Sequence, residues 1–170
     1  MKKLFVAALA LGITLALTAC GGEPITLVTT TISGISIDVP SDFGEFADQN
    51  GAMVAVNKDE TASISISAAG EGDGLAPSDI DQDTYQQQAY PGNNEVEFSS
   101  YNNAASCNGI PAISVVCKVK NTNDVTVTAH SYLLFHEDGT IQGVSINYNP
   151  DADNSVEDNI DAITKSIKAK

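Results

Sequence analysis

The chain contains no arginine and no tryptophan. Its positive charge is limited to eight lysines against 22 acidic residues, and the formal net charge is −14. A chain so poor in cations has no basic face to neutralise phosphates, which excludes nucleic acid as a partner. The same scarcity excludes peripheral attraction to anionic lipid. Without tryptophan, a sugar-stacking platform would have to use Tyr85, Tyr90, Tyr101, Tyr132 or Tyr148. Catalytic signatures are also missing. There is no Gly-x-Ser-x-Gly elbow, phosphate loop or dinucleotide fingerprint, and no Cys-x-x-Cys pair to open a zinc site. His130 and His136 stand six residues apart on one expected strand, about 20 Å at strand rise, too far to share an ion. Asp79-x-Asp81-x-Asp83 begins like a calcium loop, but Thr84 occupies the glycine position and Tyr90 that of the bidentate glutamate. Helix capping accounts for these aspartates, and equally for the oxygen-rich Asn149 to Asp153 segment. No metal site and no cofactor are assigned. The acidic count alone identifies no catalytic carboxylate pair.

The N-terminus carries the strongest signal. Lys2 and Lys3 precede an apolar run from Leu4 to Leu17, which is too short to span a bilayer comfortably and reads as an export signal. It ends in Leu17-Thr18-Ala19-Cys20, which resembles the lipobox of bacterial lipoproteins. That resemblance implies that residues 1–19 are removed and that Cys20 is acylated. One acyl chain holds a protein weakly and two or three hold it well. Membrane attachment is therefore expected through acyl chains on Cys20, on the outer face of the bacterial cell membrane. Gly21 follows Cys20 where an inner-membrane retention aspartate would stand, so an outer-membrane destination is open in a two-membrane cell. Six lysines against 22 carboxylates would leave the mature chain at −16. Such a surface stays soluble and stands off anionic lipid.

Residues 20–31 are expected to form a tether and residues 32–170 a single domain, long enough to bury a core of its own. Its two remaining thiols, Cys107 and Cys117, leave two readings open. Outside the cytoplasm an isolated pair invites a disulfide. A two-residue turn at Asn108-Gly109 would place Cys117 seven residues up the strand, about 23 Å away. A wider loop would permit the bond.

Along the domain, Ile35, Ile37 and Val39 alternate with polar residues and Pro40 ends the strand. Met53 to Val56 and Ser63 to Ala68 read as a hairpin around Asn57-Lys58-Asp59-Glu60. Ser78 to Tyr90 is expected to be a helix capped by Ser78, with Asp81 completing a capping box. Glu95 to Tyr101, Ile110 to Lys120, Val125 to His136 and Ile141 to Tyr148 are expected strands. Asp138-Gly139 signals a two-residue hairpin, which would pair Phe135 with Gln142 and Leu133 with Val144. Val125, Val127, Ala129, Leu133, Phe135, Val144, Ile146 and Tyr148 would then share one core face. His130, Tyr132, Leu134 and His136 would point away from it, as the expected interaction face. Val156, Ile160, Ile163 and Ile167 make one helical stripe, with acidic residues at its start and lysines at its end, matching the helix dipole. The fold class is α+β, an antiparallel sheet covered by helices, including a C-terminal amphipathic helix.

Three segments resemble the PsbP/Mog-like fold over about residues 32–170. Ile35 to Phe43 is similar to its opening strand, proline and aromatic. Asn108-Gly109-Ile110-Pro111-Ala112 is similar to its glycine entry into a central strand, and Phe135 to Tyr148 with the terminal helix resembles its closing half. The family includes a photosystem accessory subunit, a Ran-binding protein and bacterial lipoproteins without established activity. The resemblance implies an accessory or binding protein, not an enzyme, and no functional residue carries over. The expected function is a lipid-anchored accessory protein that binds another envelope protein. The alternative is a small-ligand or glycan module using Phe43, Phe46 and the Gly70 to Pro77 loop.

Overall fold

The computed structural model describes residues 25–92, 95–120 and 124–169. The expected signal and Cys20 lie outside them. Chain order is β1 (Leu27–Ile32), β2 (Ile35–Pro40), β3 (Ala47–Gln49), β4 (Ala52–Val56), β5 (Ala62–Ser67), β6 (Gly70–Glu71), α1 (Gln82–Ala89), β7 (Glu97–Cys107), β8 (Ile110–Lys120), β9 (Thr126–Phe135), β10 (Thr140–Tyr148), α2 (Ser155–Ser166) and β11 (Lys168–Ala169). A 3-10 turn at Pro77–Asp79 precedes α1.

The large sheet has strand order β3-β4-β5-β10-β9-β8-β7, with β6 added beside β10. Its pairings are antiparallel. A second sheet, β1-β2-β11, is also antiparallel. The two sheets dominate, and helices supply only part of the cover. One face of the large sheet packs on α2 together with β2, joining Ile35, Ile37 and Val39 to Ile64, Ile66, Leu134, Val144, Ile146, Val156, Ile163 and Ile167. The other face meets α1 and the 3-10 turn, with Ile80, Tyr85 and Ala89 against Ile113, Val115, Cys117, Ala129, Leu133 and Phe135. Gln142 ties the layers, donating from Nε2 to the Ser33 carbonyl at 2.9 Å and the Ser67 carbonyl at 2.8 Å.

The β9–β10 register differs from the expected one by a single residue. Phe135 pairs with Ile141, Leu133 with Gly143 and Tyr132 with Val144. The connection is the three-residue loop Glu137-Asp138-Gly139. The His136 amide donates to the Thr140 carbonyl and the Gly139 amide to the His136 carbonyl. Gly139 sits at φ 82°, the left-handed conformation that closes a type I turn with a bulge. Asp138 fastens it, accepting from the Thr140 amide at 3.0 Å and hydroxyl at 2.7 Å. Because strand side chains alternate with period two, one residue of slip moves a whole strand's set to the opposite face. The single core face expected from sequence is therefore two. Val144, Ile146 and Tyr148 join Tyr132 and Leu134 beneath α2. Ala129, Leu133 and Phe135 face α1, Val127 packs with Val119, and Val125 is half-buried.

Other differences are local. β1 begins at Leu27, inside the expected tether, because Val28 to Ile32 pair with Ile35 to Val39. α1 is shorter than expected: Asp81 is its N-cap and accepts from the Thr84 amide. Asp79 instead closes the preceding 3-10 turn by accepting from the Ala76 amide at 2.9 Å. β7 runs on to Cys107, with irregularities between Phe98 and Ser100 and between Asn102 and Ala105. α2 carries most of the expected stripe, with Val156 and Ile163 fully buried and Ile160 partly so, while Ile167, also fully buried, lies just past its end.

Asn154 caps α2 by accepting from the Glu157 amide at 2.9 Å while donating to the Asn149 and Ala152 carbonyls. Asn154→Ala is expected to cost about 1 kcal/mol, read as a lower urea midpoint with an unchanged slope.

Candidate functional site

The four residues of the expected interaction face do not form an exposed surface. Leu134 is 0% exposed in the core shared with β2 and α2. Tyr132 packs against the same cluster, and burial raises its hydroxyl pKa. His130 is half-buried and stacked on Tyr148, with ring centroids 6.0 Å apart and an interplanar angle of 24°. Desolvation lowers its pKa, partly opposed by Asp161. His136 sits at the end of β9, its Nε2 3.2 Å from Gln142 Oε1. The physical reason is the register: these residues share their face with Val144, Ile146 and Tyr148, and α2 with the small sheet closes over it.

Cys107 and Cys117 are free thiols. Cys107 pairs with Ile110 across a tight Asn108-Gly109 turn, whereas Cys117 pairs with Phe98 far up the same hairpin. They occupy opposite faces, Cys107 beneath α2 and Cys117 beneath α1. Burial pushes both thiol pKa values up, which makes them poor nucleophiles. The two parts of the alternative ligand cleft are also separated. Phe43 bridges Asn57 at the end of the sheet where β10 finishes. Gly70 and Glu71 pair with Ile141 and Thr140 at the end where it starts. There Gly72 packs so closely that a Cβ would lie 2.6 Å from the Gly139 carbonyl oxygen. Among the described residues no three His, Cys, Asp or Glu side chains converge as a metal site.

What the structure does assemble is a polar patch inside the molecule. On the α1 face, one cross-strand row holds Ser65, Ser145 and Ser131, and the next holds Ser63 and Asn147. Their exposures run from 1% to 6%. They form a directed chain of hydrogen bonds. The Ser145 hydroxyl donates to Asn147 Oδ1 at 3.1 Å, so its oxygen accepts from Ser131, also at 3.1 Å. Asn147 Nδ2 then donates to Ser63 Oγ at 3.4 Å. Tyr85 and Tyr90 reach Ser131 from the helix side. Tyr90 Oη also lies 3.4 Å from Cys117 Sγ. Burial holds both phenols well above their ordinary pKa, so both stay neutral donors. Tyr85 anchors the helix by edge contacts to Tyr90 and Phe98 and a tilted contact to Tyr101. Tyr101 donates to the Ile80 carbonyl at 2.8 Å, and its pKa is pushed up to about 12, chiefly by burial.

The sequence contains this patch as the alternation Ser63-Ile64-Ser65-Ile66-Ser67, which reads as isoleucine inward and serine to solvent. Period two shows that the serines share a face. It does not show that this face is closed off from solvent.

In comparison with known proteins, no family model matches the chain and no curated protein matches it. Solved structures do. Cyanobacterial PsbP (CyanoP) from Synechocystis sp. PCC 6803 superposes with a TM-score of 0.60 at 15% identity, covering 91% of this chain and 99% of that one. The Ran-binding protein Mog1p of Saccharomyces cerevisiae superposes with a TM-score of 0.56 at 13% identity, covering 86% of this chain and 96% of that one. At such identities the likeness shows the fold, and this chain has the PsbP/Mog-like fold.

Two measurements check the site as described. Leu134→Ala is expected to cost about 2–5 kcal/mol of unfolding free energy through the cavity it leaves; an exposed Leu134 would leave stability nearly unchanged. In the native protein, Cys107 and Cys117 are expected to resist maleimide labelling without prior reduction and to react fully in denaturant, as counted by intact mass.

Proposed function

We propose that this protein is a lipid-anchored, extracytoplasmic accessory protein that binds another envelope protein and catalyses no reaction. The observation that carries the reading is the N-terminal succession of Lys2-Lys3, the apolar run Leu4 to Leu17, and Leu17-Thr18-Ala19-Cys20. The fold supports it in a general way: a structural neighbour, Mog1p, is described as a Ran-binding protein.

An anchor at Cys20 would give the domain a direction. From Cys20 to Thr26 is six residues, at most about 20 Å of chain. The Thr26 carbonyl accepts from the Ser41 amide, fixing that point beside β2. The Ser41 to Phe46 loop, the β4–β5 turn at Asn57 to Thr61 and the Asn149 to Asn154 turn gather at this end. They are joined by Lys58 N to Asp42 O, Asn149 N to Thr61 O, and the Ser155 hydroxyl to the Asp42 carboxylate. With acyl chains on Cys20, this end sits next to the bilayer. The Glu137-Asp138-Gly139 turn, at the far end of β10, points away from it and is the more accessible end for a partner.

Two measurements on protein from the source cells test this. Intact mass is expected to show a chain starting at Cys20 with two or three acyl chains, and a chain starting at Met1 without acyl mass would sink the anchor. In-cell cross-linking with mass spectrometry is expected to return one dominant envelope protein, its cross-links clustering on the Lys165 and Lys168 side of the domain rather than at Lys58. A protein that cross-links to nothing would sink the partner.

A further inference from the structure

The patch of serines on the α1 side of the sheet is unusual for its place. On the opposite face the same two strands, β5 and β10, present Ile64, Ile66, Val144 and Ile146 to the apolar core. On the α1 face they present Ser63, Ser65, Ser145 and Asn147, equally withdrawn from solvent. Burying hydroxyls and amides without partners is disfavoured. The directed chain through Ser131, Ser145, Asn147 and Ser63 satisfies four of them. It leaves Ser65 Oγ with no hydrogen-bond partner. Gln88 Oε1 is buried without a partner too. Gln88 stands three residues after Tyr85 and one before Ala89, the two buried residues of α1, so it shares their side of the helix.

The chemistry of the patch defines what fits it. Its two rows contain no carboxylate, lysine or histidine. A charged ligand would be buried there without a counter-charge. Every group present is a hydroxyl or a primary amide, each able to donate and to accept. Three neighbouring strands and one pleat repeat span roughly 10 Å by 7 Å, the footprint of one sugar ring. Tyr85 and Tyr90 add aromatic surface at the border. The cover is also light: α1 has eight residues, and only Tyr85 and Ala89 are buried on it. A helix this short has little stability apart from its docking.

We infer that the Ser63, Ser65, Ser131, Ser145 and Asn147 patch is a binding site for a small neutral polyhydroxylated ligand, a monosaccharide in class, with α1 as its cover. This does not depend on the lipid anchor. Entry requires α1 to lift away from Ser131, which breaks the Tyr85 and Tyr90 contacts, so that Ser131 and the partnerless Ser65 can meet ligand hydroxyls.

The test is calorimetric unfolding of the full chain with glucose, galactose, N-acetylglucosamine and glycerol as probes, on the parent, Ser65→Ala and Ser145→Ala. The parent is expected to gain roughly 5–10 °C in Tm with at least one sugar at about 100 times its Kd. Each variant is expected to lose about half of that gain or more. Without sugar, Ser65→Ala is expected to melt within about 3 °C of the parent, because its hydroxyl has no partner to lose, so it reports on binding even where Ser145→Ala folds poorly. Sugars also stabilise proteins generally by exclusion from the surface, which would raise all three proteins alike. An equal rise in parent and variants overturns the inference, as does no rise with any probe, and the patch would then hold water only.

Discussion

The β9–β10 turn is the constraint on which the domain depends. Gly139 in the left-handed conformation and the Asp138 carboxylate on Thr140 fix a three-residue loop. That odd loop decides which residues of β10 face α2 and which face α1. β10 is the strand through which the halves of the large sheet meet, because it pairs with β9 on one side and β5 on the other. Its register is inherited by β5 and, through β5, by β4. A two-residue turn would place Ile146 against α1 and Ser145 in the aliphatic core, and neither cover would fit.

The two covers differ in kind. Beneath α2 and the small sheet the contacts are mostly aliphatic, with Tyr132 and Tyr148 among them, and Gln142 is a polar residue there with both ends of its amide engaged. Beneath α1 the surface divides. Toward β7 and β8 it is aromatic and aliphatic; toward β5 and β10 it is hydroxylic. This interior is neutral while the exterior is strongly acidic, and the ion pairs of the described residues, Lys120 with Glu95 and Asp124 and Lys165 with Asp161, lie at the exposed surface. Such pairs contribute little to stability. The domain rests on burial and on side-chain caps such as Asn154 on α2.

Much of this was legible from residues alone. The α2 stripe, the β8 to β10 strands and the α+β class follow from periodicity, and the PsbP/Mog-like likeness followed from their order. Three features were not. Glycine after aspartate signals a turn but does not count its residues, and that count sets the register. The second half of β7, Asn102 to Cys107, is made of small polar residues with weak strand preference, so only its pairing to β8 makes it a strand. The serine patch follows the same alternation as a solvent-facing strand. Its burial shows only in the fold, and α1, whose side of the sheet brings Tyr85 and Tyr90 to Ser131, has an apolar face too thin to announce a docking site. The outward placement of Tyr132 and Leu134 failed with the register.

The position of β10 between β5 and β9 has a consequence for a chain that is synthesised N-terminus first. β3, β4 and β5 come early in sequence, yet β5 has an open edge until Thr140 to Tyr148 emerges. During that interval Ile64 and Ile66 sit on a bare strand with backbone groups ready to pair with any neighbour, which is how stalled sheets aggregate. The segments around β5 carry Asp59, Glu60, Glu71 and Asp73. Like charges flanking a hydrophobic strand discourage intermolecular pairing. Some of the acidity of this chain thus works before the native state exists, keeping the waiting strand solitary until its partner arrives.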